Sequence, residues 1–340
     1  VKNIDLHDSN VRLQTSVTQV SVESSARLHM GFFDLNGGLG RKFGSIGLSL
    51  AHPTIHLNAC LSDALTVSAV GNAIADTTVL KAKSIAQGLL DAHGLSGGVH
   101  IEMHQCVAAH AGLGSGTQLA LAVGAVINRL YSLGLTTAEI AVLTGRGGRS
   151  GIGIAAFDVG GLLIDGGRTL TSKVPPILAR YEFPDAWRVL LIFDKAKPGL
   201  HGSEEKLAFK ELPVFPENLA AHLCRHVLMQ AMPAMIEQDL TAFGQSIQAL
   251  QAHTGDYFAP AQGGRYASQR VGEVLGYLEQ LGVACFGQSS WGPTGFAIFE
   301  NQQIANQHLA MLQQKFTQDD LSWLVTKAQN RGAVIQTKPV

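Results

Sequence analysis

Between Val107 and Thr117 the chain reads Val-Ala-Ala-His-Ala-Gly-Leu-Gly-Ser-Gly-Thr, with glycines at alternate positions leading into an Ala/Leu-rich stretch. Glycine lets the backbone approach an anion closely, and the first N–H groups of a following helix point at it with the helix dipole behind them. Gly112, Leu113, Gly114, Ser115, Gly116 and Thr117 are therefore expected to bind phosphate or pyrophosphate, Ser115 and Thr117 adding hydroxyl donors. The plain alternative is a tight turn that opens a helix. No Gly-Lys-Ser/Thr follows, so this is not a Walker loop, and the acidic residue that a dinucleotide fingerprint places about 20 positions on is missing.

Other residues suit the same anion. Arg27 and His29 stand two apart on a strand and so share a face, where the planar fork of Arg27 suits a carboxylate or phosphate. Arg146 and Arg149 lie in a glycine-rich turn that would let two guanidinium groups converge on one polyanion. Asp158 is an isolated carboxylate in the apolar stretch 152–163, either a functional acid or a cap or partner of Arg149. Lys195, Lys197 and His201 fall in a glycine-bearing segment that reads as a substrate lid, or simply as the lead-in to a helix capped by Ser203 and Glu205. Gln288, Ser289 and Ser290 are expected to close the pocket from the opposite side, with Trp291 as an aromatic wall. His100, His104 and Cys106, and likewise His222, Cys224 and His226, lack a full zinc-ligand set and are not read as metal sites.

Strands and helices must carry these residues. Period-two alternation predicts strands at 18–23, 46–50, 54–60, 65–70 and 99–107, and helical apolar spacing predicts helices at 75–92, 115–133 and from Thr136 onward. Prolines at 175, 176 and 184 mark a boundary. Beyond it a strand at 189–193, helices at 217–239, 240–253 and 268–281, strands at 283–286 and 295–299, a helix at 302–316 and a last strand at 333–337 are expected.

Composition narrows the class. The chain has 340 residues, enough for about two domains. Hydrophobic residues at 46% against 15% charged exclude a disordered or highly charged assembly protein. A formal net charge of −1 supplies no bulk field for nucleic acid or an anionic membrane, so an anion must be gripped locally. Four cysteines without CxxC spacing read as reduced thiols and favour the cytoplasm, and no apolar run reaches membrane-spanning length.

Gly-Leu-Gly-Ser between a strand and a helix resembles the phosphate loop of the GHMP kinase superfamily. The segments 25–35 (Ser-Ala-Arg-Leu-His-Met-Gly-Phe-Phe-Asp-Leu), 145–161 and 287–294 (Gly-Gln-Ser-Ser-Trp-Gly-Pro-Thr) fall in the order that superfamily requires. They resemble in particular the β-ribofuranosylaminobenzene 5′-phosphate synthases, from about residue 18 to 337. The resemblance implies an α+β, GHMP-kinase-like two-domain fold: a ribosomal-S5-like N-terminal domain over 17–180, a ferredoxin-like C-terminal domain over 186–338, and an active site in the cleft between them. It implies a pentosyltransferase that joins a para-aminobenzoate-type aromatic carboxylic acid to phosphoribosyl pyrophosphate with release of pyrophosphate and CO₂, early in methanopterin-type cofactor synthesis, using Mg²⁺. In the kinases a second loop serine helps place Mg²⁺, and here that position is Gly116, while Ala109 and His110 replace the loop's proline; the departure favours phosphoribosyl pyrophosphate over ATP. On this pattern the loop, Mg²⁺ and Arg149 stabilise the departing pyrophosphate and Asp158 steadies the ribosyl cation or holds the metal. Arg146, Lys197, Ser289 and Ser290 contribute to binding, Arg27 takes the benzoate, and His29 or His201 moves a proton or orients the ring. An ATP-dependent small-molecule kinase and a non-catalytic phospholigand-binding protein are the competing readings, and self-association into a homo-oligomer is left open.

Overall fold

The computed structural model describes residues 17–195, 211–317 and 319–339. Two long strands, β1 (Val17–Asp34) and β2 (Phe43–Ser62), pair antiparallel and form the spine of the first sheet. Each is longer than the alternation predicts, because both bury almost every residue near the domain contact and the period-two signal fades there. The sheet continues through β3 (Thr66–Ala69), β4 (Gly98–Gln105), β5 (Leu162–Asp165) and β6 (Ile177–Tyr181), with only β3 and β4 parallel. Helices α1 (Asp76–Ala92) and α2 (Ser115–Leu130) accompany it, followed by the short α3 (Thr137–Leu143) and α4 (Ile152–Asp158). From Gln118 to Ile127 every residue of α2 is buried, the all-round burial expected of so apolar a helix.

The second sheet is wholly antiparallel, in the order β10 (Leu321–Thr326), β7 (Arg188–Asp194), β9 (Gly295–Phe299), β8 (Cys285–Gln288). Its helices are α5 (Glu217–His226), α6 (Met232–Glu237), α7 (Leu240–Gln262), α8 (Gln269–Gln280) and α9 (Gln302–Lys315). Strand, helices, two strands, helix, strand in this order is the ferredoxin-like arrangement. The single helix expected over 217–239 is interrupted by a π-helical turn at Val227–Ala231 and ends at Gln238, whose φ is 57°.

The linear division at 186–338 needs one correction. Strand β11 (Val334–Pro339) returns to the first sheet and pairs antiparallel with β1 from Val17 to Glu23. A short strand of mixed polarity fits whichever open sheet edge it reaches, and linear order does not say which. Helix α7 also crosses the boundary, lying against both β8 and β1.

Candidate active site

The glycine loop opens α2 as its spacing predicts. Gly112 and Gly114 have φ of 76° and 78°, and Gly114 is the N-cap. A Cβ at Gly112 would lie 2.3 Å from the Ser289 carbonyl and 2.9 Å from Gly292 Cα, so a glycine here lets the two domains' backbones touch. The amides of Thr117 and Gln118 both reach the Gly114 carbonyl at 3.0 Å, while the N–H groups of Ser115 and Gly116, first in the helix, have no acceptor within it. The Arg27 amide holds the Leu113 carbonyl at 3.0 Å and its Nη1 holds that of Gly112 at 2.6 Å, fixing the loop to β1. Bulges at Ser25/Arg27 and at His29/Gly31 re-aim β1 where its functional residues stand.

Cations gather round this helix start. A Cβ on Gly116 would lie 3.4 Å from both Arg146 Nη1 and Lys81 Nζ. Burial, and then Arg146, lower the pKa of Lys81, and Arg146 Nε is buried without a hydrogen-bond partner. Among the described residues neither Lys81 nor Arg146 forms an ion pair, which leaves both charges available to a polyanion. Arg149, on the same turn as Arg146, is close enough to His29 to depress its pKa. The turn is anchored by Asp165, fully buried, whose Oδ2 accepts from Ser45 Oγ (2.5 Å), Ser150 Oγ (2.9 Å) and the Gly151 amide (2.9 Å). The Gly167 amide bonds its Oδ1 at 2.9 Å; burial raises the carboxyl's pKa and these donors oppose the rise.

His29 stands behind Arg27, 4% exposed, with its pKa lowered to about 3 by burial and then by Arg27 and Arg149. Its amide donates to Ser289 Oγ at 3.1 Å, and Ser289 Oγ donates in turn to the Gly112 carbonyl at 2.8 Å. The Ser290 amide holds the His29 carbonyl at 3.0 Å. Beside the ring is a narrow recess of about 30 Å³, lined among others by Phe32, Thr254, Phe258, Ser290 and Trp291. The His29 and Phe32 rings lie 4.5 Å apart between centroids, those of Phe258 and Trp291 4.2 Å.

The structure thus brings together the loop 112–117, Arg27, His29, Arg146, Arg149, Ser289 and Ser290. It does not bring Asp158 to them: that carboxylate is exposed at the C-terminal end of α4 and accepts from Thr137 Oγ1 at 3.0 Å, because α4 ends there and turns its last residue to solvent. The buried carboxylate of this region is Asp165. Ser289 is fastened between the domains, its hydroxyl taken up by His29 and Gly112, so it braces the loop. Lys197 and His201 lie outside the described residues. The sequence reading missed Lys81, which on the polar side of α1 looks no different from Lys83, and it missed Gln251, whose side-chain amide bonds Met30 of β1 and Gln288 of β8. Among the described residues no group of three or more His, Cys, Asp or Glu is arranged to hold a metal ion.

A ferredoxin-like domain joined to a two-layer domain whose glycine loop opens a buried helix is the GHMP kinase architecture. The family model for the GHMP kinases N terminal domain matches residues 79–161, and that for the GHMP kinases C terminal matches 231–318. The solved homoserine kinase from Cytophaga hutchinsonii shares the fold at a TM-score of 0.63 and 15% identity, over 96% of this chain and all of that one. Beta-ribofuranosylphenol 5′-phosphate synthase from Archaeoglobus fulgidus is 35% identical over 93% of this chain and 99% of its own length. The Methanocaldococcus jannaschii protein of that name is 34% identical over 92% and 98%. The chain belongs to this synthase family of the GHMP kinase superfamily.

Proposed function

We propose that the protein is a pentosyltransferase that joins a para-substituted benzoic acid to phosphoribosyl pyrophosphate, releasing pyrophosphate and CO₂. The relatives' name carries a phenol, which points to a para-hydroxy acid in place of the para-amino acid expected from the sequence. The observation that carries the reading is the set of cations about the loop, with Lys81 and Arg146 meeting at Gly116 where a metal-supporting hydroxyl would otherwise stand.

The reaction follows from that placement. The bond between ribose C1 and the diphosphate oxygen breaks, and the departing pyrophosphate gathers charge against the N–H groups of Ser115 and Gly116 and the cations Lys81, Arg146 and Arg149. Ribose C1 bonds to the ring carbon that bears the carboxylate. The carbon–carboxylate bond then breaks, CO₂ leaves, and its electron pair restores the aromatic ring, so no protein base is needed at that carbon. Arg27 keeps the loop in shape, and its bond to the Gly112 carbonyl places its charge on the diphosphate side of the acid, by the carboxylate. The residues at the loop do not fit a resident magnesium ion: Gly116 has no hydroxyl, the side chains nearest it are cations, and Asp158 lies elsewhere. In this reading magnesium enters only as a counter-ion of phosphoribosyl pyrophosphate.

Incubation with carboxyl-labelled 4-hydroxybenzoate tests the reaction. Labelled CO₂ released only when phosphoribosyl pyrophosphate is present is the expected result. No release, together with ATP-dependent phosphorylation of a small alcohol, would establish the kinase reading instead.

A further inference from the structure

Most polar groups around the recess beside His29 are already engaged. Gln251 Nε2 donates to the carbonyls of Met30 (2.5 Å) and Gln288 (3.0 Å), and its Oε1 accepts from the Gln288 amide at 2.8 Å. Gln288 Oε1 accepts from the Ala267 amide at 2.6 Å, and its Nε2 donates to Gln262 Oε1 and the Ser290 carbonyl. Thr254 Oγ1 donates to the Leu250 carbonyl at 2.6 Å, and Arg265 is held by both oxygens of Asp256 at 2.7 and 2.9 Å. His29 Nε2, by contrast, is buried and without a hydrogen-bond partner. A buried polar atom left unpaired in so saturated a setting marks a place for a group that the protein does not itself supply.

The chemistry of the proposed reaction decides which group that is. The ring carbon joined to ribose is the one that bears the carboxylate, so this end of the acid must face the diphosphate, where Arg27 and Arg149 stand. The para substituent is then the part farthest from the anion loop. The recess, about 30 Å³, is large enough to take a hydroxyl, and the arginine that lines it, Arg265, is committed to Asp256. The aromatic faces of Phe32, Phe258 and Trp291 suit the ring behind that hydroxyl.

On the synthase reading, we infer that the recess receives the para end of the aromatic acid and that His29 Nε2 accepts a hydrogen bond from its hydroxyl, selecting acids with a donor at that position. Burial keeps the imidazole neutral, which leaves one ring nitrogen free to act as an acceptor. The ring takes no proton in the reaction. It orients the acid and reads its para group.

Because a para donor also activates the ring chemically, the test measures binding without turnover. The protein saturated with pyrophosphate is titrated with 4-hydroxybenzoate and with 4-fluorobenzoate, nearly the same size but without a donor. The wild type is expected to prefer the hydroxy acid by at least about tenfold, and His29→Phe to reduce that preference below about threefold while leaving pyrophosphate affinity within about threefold. A preference that survives in His29→Phe overturns the inference. If that variant fails to fold, nitrogen NMR of the wild type replaces it: the Nε2 resonance is expected to move with the hydroxy acid and not with the fluoro acid, and an unmoved resonance overturns the inference equally. Labelled-CO₂ release by the same wild-type preparation keeps the two claims apart. Release with an unchanged preference removes only the role of His29, and absence of release removes the synthase reading and this inference with it.

Discussion

Burial and two neighbouring arginines hold His29 far below the ordinary histidine range of about 6.5, and this has a consequence for stability. As pH falls, the unfolded chain takes up this proton near its ordinary value while the folded chain refuses it until about 3. Above pH 6.5 the residue adds no pH dependence; between 6.5 and 3 the folded state loses roughly 4 kcal/mol. Urea titrations at stepped pH should show this slope in the wild type and a flatter one in His29→Phe. Asp165 tests a different use of burial. Asp165→Ala would strand two hydroxyls and two amides and is expected to cost about 3 kcal/mol by chemical unfolding, with Asp165→Asn milder. A weaker grip on phosphoribosyl pyrophosphate should accompany the loss, since the turn that carries Arg149 loses its anchor. Sequence alone could not choose between Asp158 and Asp165, both carboxylates in one apolar, glycine-rich stretch. The phase of a seven-residue helix and the nearness of Ser45, over a hundred positions away, made the difference.

The loop and α2 were the most legible element, because glycine spacing and a run of apolar helix formers both act locally. Their braces were not legible: Arg27, Ser289 and Gly292 reach the loop from distant parts of the chain. The three glycines of the loop should therefore differ in tolerance. Gly112→Ala sets a Cβ against two backbone atoms at positive φ, and a loss of about 3 kcal/mol or more is expected in thermal unfolding, along with weakened pyrophosphate binding. Gly116→Ala meets only the far ends of two long side chains and should fold within about 0.5 kcal/mol of the wild type. It should still raise the KM for phosphoribosyl pyrophosphate by setting a methyl group beside the ends of Lys81 and Arg146, where the diphosphate is expected to bind. Equal stability loss in the two variants would show that the contact between Gly112 and the second domain is not what the glycine preserves.

At the scale of the whole molecule the two sheets share more than a cleft. Helix α7 lies on both, Gln251 bonds one strand of each, and the last strand of the chain closes the edge of the first sheet. Removing residues 333–340 should cost at least about 3 kcal/mol of stability, since it strips a strand's ladder from β1, and the loss should appear as one lowered transition if the sheets unfold together. Two domains were legible from length and the proline-marked boundary, but this exchange of strands was not, because pairing partners at opposite ends of a sequence leave no local trace. The exchange also gives the molecule a mechanical grain. Val17 faces Pro339 and Glu23 faces Val334, so a pull applied between residues 17 and 339 enters that ladder at its open end and breaks its hydrogen bonds one pair after another, like a zip. A pull between 17 and 334 loads the same bonds together in shear. The same few contacts would thus yield at low force in one direction and resist as a block in the other, which makes the ladder between β1 and β11 a latch that is soft along one line of pull and firm along the other.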